Sequence, residues 1–186
     1  GSAVDTEKFI IAYNNAHSGS PHMLALKSNN SAGKIGFFTN STERMTINSA
    51  GAVTMPYQPS FAVSRNAGHV TGGNIWVGNV VRSNIGGHYS SSNGRFTAPV
   101  TGSYHIDVML MSRDDSTYIN KNYGIRINGS VFNRAYSTST STAHHQWQWS
   151  GTIRLNASDY VDILNVNLAI YSTDSDYSHF SGHLIG

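Results

Sequence analysis

The sequence contains no cysteine, and only 12% of its 186 residues are charged. Without cysteine there is neither a disulfide framework nor a thiolate metal site, so stability must come from core packing or from assembly. The formal net charge of +2 comes without a cluster of lysine and arginine, which argues against nucleic acid as a partner. No apolar run approaches the ~18 residues that a membrane span needs.

Motifs of the common enzyme classes are also missing. The chain has no Gly-x-Ser-x-Gly elbow, no Walker loop and no His-Glu-x-x-His zinc motif. A glycosidase needs two opposed carboxylates, but Glu7 and Glu43 are the only glutamates. Asp114 and Asp115 are neighbours, which point in opposite directions on an extended chain. We therefore predict that the protein is not an enzyme.

What the sequence does contain is the chemistry of strands and turns. Gly, Ser, Asn and Thr fill the place of charged residues, and aromatic residues make up 11% of the chain. These polar residues favour turns and strand edges over helix interiors, and no 3.6-residue period persists. Short alternating segments separated by turn residues recur along the chain, so we predict an all-β sandwich or jelly roll.

Two prolines divide the chain. Pro56 and Pro59 predict a linker over 56–59, between a β-rich segment (3–55) and a main domain (60–186), while residues 1–2, Gly-Ser, are typical of a cloning remnant. Each strand of 3–55 offers few apolar side chains, too few to close a core. We expect a shaft segment that associates with copies of itself; a small independent β-meander is the alternative.

The segment Ser103–Met111 is the clearest strand in the main domain. One face carries Tyr104, Ile106, Val108 and Leu110. The opposite face begins polar but ends in Met109 and Met111, which a solvated face does not need. Burial against a partner subunit is one explanation, and a core strand covered on both sides is the other.

The residues Asn84, Tyr89, Phe96, Gly102 and Tyr104 stand at intervals that resemble the globular head of the first complement component's recognition subunit. Phe180 and Gly182 look like part of the closing strand of that family. The sequence departs from the pattern at Gly78, where the family has Phe, and at Ile106, which replaces its last aromatic residue. The resemblance implies a ten-stranded, tumour-necrosis-factor-like jelly roll that forms homotrimers and binds ligands at its loops or apex.

Residues 43–56, Glu-Arg-Met-Thr-Ile-Asn-Ser-Ala-Gly-Ala-Val-Thr-Met-Pro, look like a motif that precedes the tip domain in phage tail fibres and related adhesins. Together the two resemblances imply the receptor-binding tip of a phage tail fibre. It would be a virion component joined to the rest of the fibre, and would bind a bacterial surface glycan or outer-membrane protein. The alternatives are a secreted bacterial or host complement-like lectin or adhesin and, third, a polysaccharide depolymerase.

Aromatic residues in polar surroundings are the candidate ligand-binding residues, because Trp and Tyr stack on sugar rings and anchor protein contacts. Period-two alternation places the two tryptophans and one histidine of residues 144–149 on one face, and four tyrosines lie in predicted loops. The candidates are Trp147, Trp149, His145, Tyr118, Tyr136, Tyr171 and Tyr177. For the tryptophans, burial in the core or in a subunit interface is the alternative.

Four aspartates are candidate metal ligands, because Ca²⁺ prefers clustered oxygen atoms. They are Asp114, Asp115, Asp174 and Asp176, all in predicted loops. The resemblance implies calcium near the apex of the trimer. Solvated acidic side chains in loops are the alternative reading.

Overall fold

The computed structural model describes residues 11–12, 25–26, 31–113, 121–137, 144–167 and 169–186. Over these ranges the chain forms strands and turns, and no helix there is long and apolar enough to cross a membrane. The chain divides into two compact units, Gly1–Tyr57 and Gln58–Gly186. These are the N-terminal unit and the C-terminal unit.

The N-terminal unit is built from short antiparallel strands. They are β1 (Ile11–Ala12), which pairs with β2 (Ala25–Leu26), and a sheet of β3 (Ile35–Thr39), β4 (Thr42–Ile47) and β5 (Val53–Thr54) in that order. Asn40 and Ser41 connect β3 to β4 with φ angles of 49° and 57°. Left-handed φ at both positions suits a two-residue hairpin, because it matches the twist of the flanking strands.

Most apolar side chains described in the N-terminal unit lie at its surface. Phe37, Phe38, Val53 and Met55 each expose at least 46% of their area, and Thr46 is the one buried side chain among residues 31–57. Strands this short cannot enclose a core by themselves. The unit therefore presents an apolar surface of the kind that self-association would bury.

The C-terminal unit consists of two five-stranded antiparallel sheets. Its strands are β6 (Ser60–Ser64), β7 (Val80–Ile85), β8 (Tyr89–Ser90), β9 (Arg95–Thr97), β10 (Gly102–Met111), β11 (Lys121–Ile127), β12 (Ser130–Ser137), β13 (Gln146–Leu155), β14 (Tyr160–Asn165) and β15 (His179–Leu184). The first sheet has the order β13-β10-β15-β6-β7, and the second has the order β12-β11-β14-β9-β8. The prediction of an all-β, ten-stranded sandwich is confirmed.

The core between the two sheets is centred on stacked aromatic rings. Phe61 stacks on Phe96 at 4.5 Å between centroids and meets Phe180 edge-on at 4.7 Å. Phe96 in turn meets Tyr104 edge-on at 5.5 Å. Phe96, Tyr104 and Phe180 are each 0% exposed. Such rings bury large apolar areas and favour these offset and edge-on geometries, so they tie the two sheets together.

Gly102 of β10 and Gly182 of β15 lie where the backbones approach closely. A Cβ atom on Gly182 would come within 2.8 Å of the backbone oxygen of His105, and one on Gly102 within 3.1 Å of that of Gly186. Asn84 has a local role, because its side chain accepts from the Tyr89 N–H at 3.0 Å and donates to the Tyr89 carbonyl at 2.9 Å. These residues shape the backbone of the sandwich.

Gly78 stands where the family described above has Phe, and the packing around it explains this difference. Trp76, two residues earlier, is 0% exposed, and a Cβ on Gly78 would lie 3.1 Å from its ring and 2.7 Å from Val63. The Tyr89 hydroxyl accepts from the Gly78 N–H at 2.8 Å, and burial raises the pKa of Tyr89 to about 12. Trp76 thus supplies the buried ring, and a side chain at 78 has no room.

A buried carboxylate on β14 pairs with an arginine on the neighbouring strand β11. Asp162 is 0% exposed and lies opposite Arg126 in the pairing of β14 with β11. Arg126 donates two hydrogen bonds to this carboxylate, from Nε at 2.7 Å and from Nη2 at 2.8 Å. The Nε of Arg95 lies 3.4 Å from the same carboxylate. Charge-assisted, two-pronged pairing of this kind compensates the cost of burying the carboxylate.

Candidate ligand-binding end

Two loops of the C-terminal unit, which follow β6 and β14, meet at one end of the sandwich, where the Ile170 N–H donates to the Val70 carbonyl at 2.9 Å. At the end where the chain enters and leaves, the Leu184 N–H donates to the Pro59 carbonyl at 3.0 Å. At the opposite end, where β10 ends and β13 and β15 begin, the Tyr171 N–H donates to the Met111 carbonyl at 2.8 Å and the Ser112 N–H to that of His145 at 2.7 Å. This distal end carries the loops that follow β6 and β14.

Four rings form a cluster at the distal end. Tyr171 lies at its centre, with ring centroids 5.4 Å from His69, 5.3 Å from His144 and 5.4 Å from Tyr177. His144 is fixed by a 2.9 Å contact between its Nδ1 and the Ser112 carbonyl. Tyr177 exposes 42% of its area. These four residues, His69, His144, Tyr171 and Tyr177, are called the distal aromatic cluster. Its accessible ring is that of Tyr177, which packs on Tyr171.

Buried polar atoms without partners lie beside the cluster. Among the described residues, His69 Nδ1 and the Ser172 hydroxyl make no hydrogen bond, and Ser172 is 0% exposed. An unmade hydrogen bond in a buried position costs about 1–3 kcal/mol. Because both atoms are buried, they are not part of the accessible surface of the cluster.

The two tryptophans lie on the inward face of the edge strand β13. The exposure of β13 alternates as expected, with Gln146 and Gln148 exposed and Trp147 and Trp149 half-buried. Both tryptophans pack against the hydrophobic core, and Trp149 meets Phe132 of β12 edge-on at 6.3 Å. His145 lies near Trp147, with 6.4 Å between ring centroids. Packing at the open edge of the sandwich therefore accounts for most of the tryptophan surface.

The remaining ligand-binding candidates are dispersed. Tyr136 lies on β12, the edge strand of the second sheet, and is 55% exposed, whereas Tyr118 falls outside the described residues. Of the candidate tyrosines, the structure thus brings Tyr171 and Tyr177 together. Sequence reasoning missed their neighbours His69 and His144, since contacts between separate loops leave no periodic signal.

Of the four candidate metal ligands, the structure describes two. Asp114 and Asp115 fall outside the described residues. Asp174 and Asp176 share a turn, in which the Asp176 N–H donates to the Asp174 carboxylate at 3.2 Å. No group of three or more potential ligating side chains from His, Cys, Asp or Glu occurs in the described part of the chain. Calcium binding at these aspartates stays a prediction.

One Ser-His-Asp group lies on the first sheet, but its geometry differs from that of a hydrolase. His105 Nε2 is 2.9 Å from an Asp107 oxygen and 3.3 Å from the Ser150 hydroxyl. A catalytic relay needs the carboxylate and the hydroxyl on opposite ring nitrogens. Here both share one nitrogen, so the imidazole cannot pass a proton between them in that way.

The outer face of the first sheet is the surface that β10, β13, β15, β6 and β7 turn away from the core. On β10 it carries His105, Asp107, Met109 and Met111, each half-buried, and on β15 it carries His179 and His183. The inward residues of β10 are buried in the core, whereas its outer ones stay partly accessible. Among the described residues, β10 is thus buried on one face and half-buried on the other. Burial of the two methionines against a partner subunit stays a prediction.

Comparison with known proteins identifies the family of the C-terminal unit. The family model of the C1q domain matches residues 60–185, which is more than half of the chain. Among solved structures, the globular domain of a zebrafish complement 1qA protein matches with a TM-score of 0.57 and 17% identity, over 69% of this chain and 98% of that one. The Eiger TNF of S. frugiperda matches with a TM-score of 0.58 and 12% identity, over 69% of this chain and 93% of that one.

No curated protein sequence matches the chain. Domains with the C1q and tumour-necrosis-factor fold form trimers and are typically non-enzymatic binding modules. At these identities the solved structures show only the fold, whereas the family model shows that the chain is a member of the family. This chain belongs to the C1q domain family.

Proposed function

We propose that this protein is the receptor-binding tip of a phage tail fibre, a homotrimer that binds a bacterial surface glycan or outer-membrane protein during adsorption. C1q domains are binding modules, which fits a tip domain. The N-terminal unit, with its exposed apolar strands, fits a shaft that joins the rest of the fibre. On this proposal the protein acts as part of the virion, outside the bacterial cell.

The observation that carries the proposal is the distal aromatic cluster. It lies at the end of the sandwich opposite Pro59 and Leu184. Tyr177 is 42% exposed and rests on Tyr171. A supported, half-exposed tyrosine beside serine and aspartate supplies contact area at a low entropic cost, which is typical of adaptable binding surfaces.

Trimer formation fits the outer face of the first sheet. Met109 and Met111 lie there with three histidines and without a covering element from the described part of the C-terminal unit. Association through this face would bring three distal ends together. Three weak sites that engage one cell surface act at a high effective concentration, so total avidity can exceed single-site affinity by about 10²–10⁴-fold.

We expect the Tyr177→Ala variant of the full chain to lose bacterial binding about tenfold or more, because an anchoring aromatic side chain contributes roughly 1–2 kcal/mol and the loss recurs in each subunit. The measurement is flow cytometry of fluorescently labelled protein on a panel of Gram-negative and Gram-positive strains. Tyr57→Ala is the matched control, since Tyr57 is 56% exposed but lies in the N-terminal unit.

The control variant is expected to bind as the unmodified protein does. Two results contradict the proposal: binding to no strain of the panel by the unmodified trimer, or full binding by Tyr177→Ala. Release of reducing ends from the polysaccharide of a bound strain would instead favour a depolymerase.

A further inference from the structure

Three histidines lie on the outer face of the first sheet, on the adjacent strands β10 and β15. His105 lies opposite His183 in the pairing of these strands, with 5.5 Å between the ring centroids. His179, earlier on β15, lies opposite Met109. His183 is exposed, whereas His105 and His179 are half-buried. The surface that we assign to subunit association therefore carries ionisable side chains beside a methionine.

Few other charged side chains accompany these histidines on the strands of the first sheet; they are Asp107, Arg82 and Arg154. Asp107 lies 2.9 Å from His105 Nε2. Arg82 pairs at 3.5 Å with Asp176, so these two residues add no net charge beside His179. The outward residues that flank the histidines on β13 and β6 are uncharged, namely Gln148, Ser150, Thr152, Ser60, Ala62 and Ser64. Asp107 is thus the carboxylate on these five described strands that can balance an imidazolium.

Protonation reverses the charge of this group of side chains. With neutral imidazoles, Asp107 and the three histidines together carry a charge of −1. With all three imidazoles protonated, three positive charges and one negative charge give +2 in each subunit. Asp107 compensates its neighbour His105, but His105 and His183 then remain like charges directly opposite each other, which destabilises a sheet surface. Association of three subunits through this face would bring such positively charged surfaces into contact with a partner.

Burial favours the neutral form of these histidines. His179 shows this already in the single chain, since burial lowers its pKa although Asp107 acts to raise it. Association would remove more water from the face, and desolvation disfavours a charged imidazole. Protons would then bind the separated subunits more strongly than the assembly. The association constant is therefore expected to be highest at neutral pH and to fall once the pH drops below the ordinary histidine pKa of about 6.5.

We propose that the histidines of this face make the association of the subunits dependent on pH, so that a trimer formed at neutral pH weakens in mild acid. His179 and His183 carry most of the effect, because Asp107 contacts His105 and compensates its charge. The inference rests on the homotrimer of the proposed function and adds regulation to it. Three distal ends act together at neutral pH, whereas separated subunits lose the gain in avidity in acid.

The test is sedimentation equilibrium of the full chain over a concentration series, at pH steps from 7.5 to 5.0. One histidine that must be neutral in each of three subunits lowers the trimer association constant by about 10³-fold per pH unit below its free pKa. We therefore expect a fall of about 10³-fold or more over this range, with an unchanged far-ultraviolet circular dichroism spectrum. The double variant His179→Gln, His183→Gln should stay within about tenfold. His88→Gln is the matched control, since His88 lies in the turn between β7 and β8, and it should behave as the unmodified protein does.

An association constant that changes less than tenfold, or an equal fall in the double variant, would overturn the inference and leave the trimer standing. Loss of the circular dichroism signal at pH 5.0 would also overturn it, because acid would then act by unfolding. If the double variant does not assemble at pH 7.5, the unmodified protein decides through the slope of the logarithm of the association constant against pH. Uptake of three or more protons for each trimer that dissociates supports the inference, and uptake of fewer overturns it. Single chains at pH 7.5 would overturn both the proposed homotrimer and this inference.

Discussion

Replacing Trp76 with alanine is expected to lower the free energy of unfolding by about 3–5 kcal/mol, the range for buried aromatic residues. Trp76 is 0% exposed and occupies the core beside Gly78, whose missing side chain makes room for it. The loss combines the transfer of apolar area to water with the cavity that remains. The measurement is urea-induced unfolding at one fixed chain concentration, because assembly makes apparent stability depend on concentration.

Trp76→Phe and Val100→Ala are the matched controls for this prediction. The phenylalanine variant keeps an aromatic ring and removes an indole N–H that has no partner among the described residues, so it should lose well under half as much. Val100 is 46% exposed, and its truncation should stay within about 0.5 kcal/mol. A loss at Trp76→Ala no larger than at Val100→Ala would show that Trp76 is not a core residue.

Replacing Arg126 with methionine is expected to cost about 3–5 kcal/mol, because it leaves the Asp162 carboxylate buried without its main partner. Arg95 cannot take over, since its Nε lies 3.4 Å from that carboxylate and its guanidinium stacks on Tyr160 at 4.0 Å. Urea-induced unfolding measures the loss. The matched single variant Arg95→Met should lose only about 1 kcal/mol, as a longer and more exposed contact implies.

A double variant tests the physical cause. If the cost of Arg126→Met comes from an uncompensated buried charge, then Arg126→Met combined with Asp162→Leu should recover most of the stability, because an apolar pair of similar volume avoids the desolvation penalty. Additive losses in the double variant would instead indicate that packing, and not charge, dominates at this position.

Much of the sandwich could be predicted from local patterns. The alternation along 103–111 identified β10 and its inward face, since strict period two is unambiguous for a half-buried strand. The spacing of Tyr89, Phe96 and Tyr104 in the sequence was enough to indicate the family. The sequence did not predict that Trp76 is a core residue, because it lies in a stretch rich in glycine and asparagine without alternation of apolar and polar residues. Its burial depends on the whole sandwich closing around it.

The candidate site could be predicted only in part. Tyr171 and Tyr177 are close in the sequence and lie in polar surroundings, so composition was enough to select them. His69 joins them from the loop between β6 and β7, which is distant from them in the sequence. Such contacts arise from the order of strands in the first sheet, which local sequence does not encode. The same holds for Arg126 and Asp162, brought together by the pairing of β11 with β14.

The central claim is that three copies of this chain associate and present their distal ends together. Sedimentation equilibrium of the full chain at neutral pH and micromolar concentration tests it directly. We expect one species with three times the 20.2 kDa mass of the single chain. A single species of 20.2 kDa under the same conditions would contradict it.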